Sequence, residues 1–272
     1  MDDLFNTLAD RGTLPLGAFL LAMLLIANEV GYRIGRWRTT QTREAPEGNM
    51  GMLTTGMLGL LAFTLGLTIS IAESRYEARR DLVVAEANAI GTAWLRAGLV
   101  RGPEGTELRR ELEDYTRTRL DYTRAGPDPV REAALNAETN AAQTRIWALA
   151  QAAVQRDPNP VMAGLVAALN ETFDAALSQR FAYESRAPAH IQWLLLMGSL
   201  LSVGAIGVQL GLGPQRHLVL SVLLMMMWTG GMLLIVDLNR PRQGKIRVDP
   251  APLVWTLQGF SSGAPAATPT KP

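Results

Sequence analysis

Residues 50–72, MGMLTTGMLGLLAFTLGLTISIA, run directly into residues 73–100, ESRYEARRDLVVAEANAIGTAWLRAGLV, and no proline falls between Pro46 and Pro103. The first part is uncharged over roughly the twenty residues that, at about 1.5 Å rise each, cross a hydrocarbon layer about 30 Å thick. The second part is charged and rich in helix-favouring residues. The pattern is that of a membrane helix continuing into an aqueous domain.

Working outward, residues 14–34, 191–212 and 217–236 have the length and near-absence of charge of further spans. The leader MDDLFNTLAD is acidic where a signal peptide carries a basic region, so the first span is expected to be retained. Between spans two and three lie more than a hundred polar residues, rich in Ala, Arg and Glu. Breaks at Gly102-Pro103, at Gly126 to Pro129 and at Asp157 to Pro160 divide them into four helices of about 20 to 28 residues. The expected fold is all-α, with four transmembrane helices and a helical aqueous domain inserted between spans 2 and 3. Its parts are membrane helices 1 and 2 (1–72), the aqueous domain (73–188), membrane helices 3 and 4 (189–238) and a C-terminal segment (239–272). The tail FSSGAPAATPTKP is of low complexity and is expected to be disordered.

The formal net charge is +1, with no cysteine and two histidines. That balance gives no pointer to nucleic acid, and zero cysteine removes disulfides, thiolate metal sites and cysteine nucleophiles. His190 and His217 stand at span edges, and with no nucleophile–base pair or metal constellation an enzyme is the weak reading. Neither a metal nor a cofactor is implied.

Four spans put both termini and the aqueous domain on one side. The short loops carry Arg33, Arg36, Arg38, Arg43 and Arg216. The other side carries Arg11, Arg75, Arg79, Arg80, Arg180, Arg186, Arg240, Arg242, Lys245 and Arg247. The excess of cations marks that second side as cytoplasmic in a bacterial inner membrane.

At about 100° per residue, Thr54, Leu61, Thr64, Thr68 and Arg75 share one arc of the second span, and Gly56, Gly59, Phe63, Gly66 and Ser70 the opposite one. Hydroxyls facing water can replace part of an ion's hydration shell, and a basic ring below them attracts anions. The first arc is therefore the expected pore lining, and Gly56, Gly59 and Gly66 the expected packing face. The plainer alternative is that each threonine bonds its own i−4 carbonyl and the arc packs on a neighbouring helix. Gly207 and Gly211 in the third span have the close-contact spacing of packed membrane helices. Trp37, Trp193 and Trp255 fall near span boundaries, as interfacial tryptophans do. Glu29 ends an apolar run, and Arg33 one turn on is its expected partner. Glu73, Glu77, Arg80 and Glu86 with Asn88 match no metal loop, and these charges are expected to pair with neighbouring helices, Arg79 and Glu86 among them.

Three stretches resemble the bestrophin-like family of prokaryotic membrane proteins: NEVGYRIGRW at 28–37, SRYEARRDLVVAEANAIGTAWLRA at 74–97, and VDLNRPRQGKIRVDPAPL at 236–253. The residues that match the family pattern are Glu29, Gly31, Gly35, Arg75, Tyr76, Arg79, Arg80, Glu86, Asn88, Gly91, Thr92, Asp237, Arg240, Pro241 and Arg242. The resemblance implies a ring of identical subunits in lipid, five being the candidate number, around a central pore for small inorganic anions. It does not extend to the aromatic constriction of animal bestrophins, since the second span offers Phe63 alone, nor to their acidic calcium clasp, whose place holds the basic DLNRPRQGKIRVDP. The lead expectation is an oligomeric ion channel with the second span lining the pore. The alternative is a membrane sensor or scaffold that uses its helical domain to bind a ligand or partner.

Overall fold

A computed structural model describes residues 12–41, 49–185 and 189–262. The expectations placed on Arg11, Arg43, Arg186 and the tail from residue 263 lie outside these residues. Every element among the described residues is a helix: α1 (Thr13–Gln41), α2 (Asn49–Ala97), α3 (Pro103–Arg124), α4 (Pro129–Arg156), α5 (Pro160–Glu184), α6 (Ala189–Leu212), α7 (Leu218–Leu238) and α8 (Ala251–Ser262). Four of them, α1, α2, α6 and α7, are long and apolar enough to cross a membrane.

The continuous reading of residues 50–100 holds as far as Ala97. α2 is a single helix of 49 residues, about 74 Å long and well over twice the hydrocarbon thickness. The chain divides into two compact units, Met1–Arg75 with Arg186–Ile246, and Tyr76–Ser185 with Arg247–Pro272, and the division falls within α2.

In the first unit α1 and α6 approach backbone to backbone. A Cβ on Gly31 would overlap the Gly204 carbonyl oxygen, one on Gly207 the Asn28 oxygen, and one on Gly211 the Tyr32 oxygen. Lipid gives apolar side chains no reason to leave it, so such close approach supplies the van der Waals contact that joins membrane helices. Beside this seam, Leu16 and Leu20 of α1 pack with Leu195 and Leu196 of α6 and Met232, Ile235 and Val236 of α7. The indole Nε1 of Trp228 donates to Ser199 Oγ at 2.8 Å, which satisfies two polar groups inside the bundle.

The proline breaks set the second unit's helix starts. Asp128 accepts from the N–H groups of Val130 (2.9 Å) and Arg131 (3.3 Å) at the start of α4, and Asn159 does the same for α5 with Val161 (2.9 Å) and Met162 (3.2 Å). Pro129 and Pro160 occupy the first turn, where no N–H is needed. Gly102, ahead of Pro103, sits at φ +93°, a conformation that favours glycine. The core joins Val83, Ile90 and Trp94 of α2 to Leu108 and Leu112 of α3, Ile146 of α4, Leu165 and Leu169 of α5 and Leu253 of α8.

α8 was not anticipated. It extends through Phe260, Ser261 and Ser262, so the first residues of the tail expected to be disordered are helical. Phe260 stacks on Trp94 with ring centroids 4.7 Å apart, and Thr256 Oγ1 donates to the Ala87 carbonyl at 3.4 Å. An aromatic anchor and a buried threonine hold this short helix against α2.

Candidate functional site

α2 has one face covered by its own chain and one left open. Thr54, Leu61, Thr68 and Ala72 are buried at 4%, 7%, 9% and 1% exposure. Leu61 Cδ1 lies 3.3 Å from where a Cβ on Gly198 would stand, Leu65 meets Gly231 in the same way, and Leu65 and Ile69 pack on the α1–α6–α7 cluster. The open face carries Gly56, Gly59, Leu60, Phe63, Gly66, Leu67 and Ser70.

Within the subunit, then, the arc expected to line a pore is the covered one and the arc expected to pack is the bare one. Helices of the same chain cover Thr54, Leu61 and Thr68. Thr64 is half-buried, and its hydroxyl donates to the Leu60 carbonyl at 2.8 Å, as that of Thr68 does to the Thr64 carbonyl at 2.8 Å. Both hydroxyls are spent on their own helix, the plainer alternative of the sequence reading. Gly56, Gly59 and Gly66, expected to pack, have nothing of the described chain within 4 Å of an added Cβ. The glycines that pack backbone to backbone include Gly207 and Gly211 of α6 with Gly31 and Gly35 of α1. Gly31-x-x-x-Gly35 has the same spacing as Gly207-x-x-x-Gly211, a signal already visible in the sequence.

Beyond the membrane-length stretch, α2 presents Glu73, Glu77 and Asp81 to solvent. Arg75 and Tyr76 are half-buried, and Arg79 is buried at 2% exposure. Arg80 and Asn88 are exposed. The exposed charge on this stretch is thus three carboxylates against one guanidinium.

Glu86 points the other way, into the second unit. Its carboxylate is fully buried and takes both Nε and Nη2 of Arg119 from α3, and Arg119 Nη2 also donates to Gln179 Oε1 of α5. Gln179 Nε2 in turn donates to Thr123 Oγ1 at 3.5 Å, and the Arg119 guanidinium lies 4.5 Å from the Tyr122 ring centroid. Burial pushes the nearby Tyr115 phenol well above its usual range, with the Glu86 carboxylate adding to the shift. The partner of Glu86 is Arg119 of α3, 33 residues on, so this charge pairs with a neighbouring helix as expected.

At the other end of the first unit Glu29 bridges two arginines. Arg33 Nε donates to it at 2.9 Å, as expected, and Arg216 from the α6–α7 loop also reaches it while lying 4.4 Å from the Tyr32 ring centroid. The carboxylate therefore ties the loop to α1. Trp37 is exposed and Trp193 half-buried in this unit, whereas Trp255 belongs to α8 of the other.

Asp237, at the end of α7, is buried at 8% exposure and accepts from the backbone N–H groups of Lys245 (2.8 Å) and Ile246 (3.0 Å). Arg240 and Arg242, half-buried, belong to the loop it closes.

Comparison with known proteins gives these features a setting. A bacterial bestrophin homologue from Klebsiella pneumoniae, solved by crystallography with a single substitution, superposes with a TM-score of 0.68 at 14% identity, covering 90% of this chain and 97% of that one. A second crystal structure of the homologue from that organism gives 0.65 at 16% identity over 91% and 97%. A structure described as that of a membrane protein gives 0.62 at 14% identity over 93% and 99%. No curated protein matches the sequence. The fold is shared with these structures, and residues 21–253 match the family model described as a Bestrophin-like domain. With its four membrane-length helices and its long unbroken α2, this integral membrane protein belongs to the bestrophin-like family.

Proposed function

We propose that several copies of this chain assemble around a central axis to form an ion channel, with the open face of α2 lining the pore. The observation that carries this reading is the two-sidedness of α2. Its threonine face is covered inside the subunit, while Gly56, Gly59, Phe63, Gly66 and Ser70 form a face that the described chain leaves bare. Glycines there leave room for a passage, and Phe63 and Leu67 would form its apolar constriction. Family membership and the shared fold support the same reading.

The exposed charge of α2 bears on the sign of the permeant ion. An anion preference was expected from the family resemblance and from Arg75, which is half-buried. Glu73, Glu77 and Asp81 outnumber Arg80 on the exposed surface of α2, and carboxylates repeated around an axis concentrate cations. We therefore assign the channel a preference for small inorganic cations. The excess of Arg and Lys flanking the spans supports a cytoplasmic location for the second unit and both termini, in a bacterial inner membrane.

The test is flux from liposomes that hold the purified full-length protein, with a potassium chloride gradient across the bilayer. The reversal potential is expected to lie toward that of potassium. The Glu77→Gln/Asp81→Asn double variant is expected to move it toward zero by weakening the local field. Absence of both potassium and chloride flux would remove the channel reading, and a reversal potential near that of chloride would overturn the cation assignment.

A further inference from the structure

Past its carboxylates the bare arc of α2 changes character. At about 100° per residue, Ser70, Glu77, Asp81, Val84 and Leu95 all fall within about 40° of Asn88, and every one of them, with Asn88 itself, is exposed. From Asp81 to the end of the helix this arc carries no further charge. Val84 and Leu95 are apolar. Its polar groups there are the carboxamide of Asn88 and, one turn on, the hydroxyl of the half-buried Thr92.

No hydrogen bond among the described residues uses either group. Asn88 stands between Ala87 and Ala89 in a helix interior, where asparagine is less favourable than alanine, so the helix gains nothing from it. Threonines elsewhere turn their hydroxyls onto their own helix: Thr64, Thr68, Thr139 and Thr172 each donate to the i−4 carbonyl at 2.8 Å, and Thr116 at 2.6 Å. Thr92 makes no such bond among the described residues. Two uncommitted oxygens one turn apart on one helix face can replace part of an ion's hydration shell. Being neutral, they act only at contact distance, whereas Glu77 and Asp81 act through a field that salt screens.

We propose that Asn88 Oδ1 and Thr92 Oγ1, repeated around the axis, form a neutral ring that ligates the permeant monovalent cation and discriminates between cations of equal charge. This rests on the reading of the bare α2 face as the pore lining, and it divides the work: the carboxylates set the sign, and the Asn88–Thr92 pair chooses by size. Full-length protein in liposomes is placed between potassium chloride and sodium chloride at equal chloride, and the sodium-to-potassium permeability ratio is read from the reversal potential. The wild-type ratio is expected to depart from that of the two ions' mobilities in water. Asn88→Ala/Thr92→Val is expected to shift it by about threefold to tenfold toward the mobility ratio. Thr92→Val alone, which keeps the side chain's shape, is expected to shift it in the same sense, and Thr92→Ser, which keeps the hydroxyl, to leave it unchanged. Glu77→Gln/Asp81→Asn is expected to keep the sodium-to-potassium ratio while losing preference for potassium over chloride. Conduction with the wild-type ratio in both Asn88→Ala/Thr92→Val and Thr92→Val, or a wild-type ratio equal to that of the mobilities, would overturn this assignment and leave the pore reading standing. No wild-type flux of either cation would overturn both.

Discussion

Arg119→Ala is expected to destabilise the protein by about 3–5 kcal/mol, enough to deplete folded material from a preparation. The reason is what it leaves behind. Glu86 is 0% exposed, and its carboxylate oxygens are held by Arg119, so without the guanidinium an ionised group would remain in the interior of the second unit with no countercharge. Gln179 would lose its donor at Oε1 as well. Replacing both ionic partners, as in Glu86→Leu/Arg119→Met, removes the charge with its partner and is expected to recover most of the loss. Thermal or chemical unfolding of the purified variants in detergent measures both. A loss below about 1 kcal/mol for Arg119→Ala would show that water reaches the pair, contrary to the burial described here.

The second large effect is expected at the α1–α6 seam. Gly207→Val places branched carbons where the Asn28 carbonyl already stands, and the Tyr32 backbone nitrogen lies 2.9 Å from the added Cβ. No side-chain rotation relieves a clash with backbone, so the two helices must separate along the seam. Overpacking of soluble cores costs about 1–3 kcal/mol, and here the loss is expected at or beyond the top of that range. Gly59→Ala is the matched control, because an added Cβ there has nothing of the described chain within 4 Å, and the subunit's own stability should be unmoved. Similar losses at the two positions would mean that the seam is not the joint holding α1 to α6.

Much of this architecture could be read from local sequence. Charge-poor runs of spanning length marked the four membrane helices. The Gly-Pro, Asp-Pro and Asn-Pro breaks gave the starts of α3, α4 and α5 because they act within a turn or two of where they occur. Glu29 with Arg33 is likewise a one-turn relation.

What was misread depends on partners distant in the chain. Helical periodicity separated the two faces of α2 correctly but could not say which one the rest of the subunit would cover. Thr54 and Thr68 looked suited to water, yet threonine is as much at home in a helix interface with its hydroxyl turned to the i−4 carbonyl, as in Thr64 and Thr68. The partners of Gly207 and Gly211 lie more than 170 residues earlier, at Asn28 and Tyr32, so the seam is a tertiary fact even though both glycine pairs can be counted in the sequence. Arg119, the partner of Glu86, sits in an ordinary charged helix, and nothing nearby distinguishes it from the exposed Arg117 two residues before. α8 follows a Pro-rich turn and is only 12 residues long, too short to signal a helix without Trp94 to receive Phe260.

The central claim, that the open face of α2 meets water while its threonine face does not, has a direct test in a chain with no native cysteine. Single-cysteine variants at Phe63, Ser70, Thr54 and Thr68 are reconstituted and exposed to a membrane-impermeant, charged thiol reagent while flux is recorded. Phe63→Cys and Ser70→Cys are expected to be modified with loss of flux, and Thr54→Cys and Thr68→Cys to stay unmodified with flux intact. Modification and block at Thr54→Cys and Thr68→Cys, with Phe63→Cys and Ser70→Cys untouched, would contradict the account.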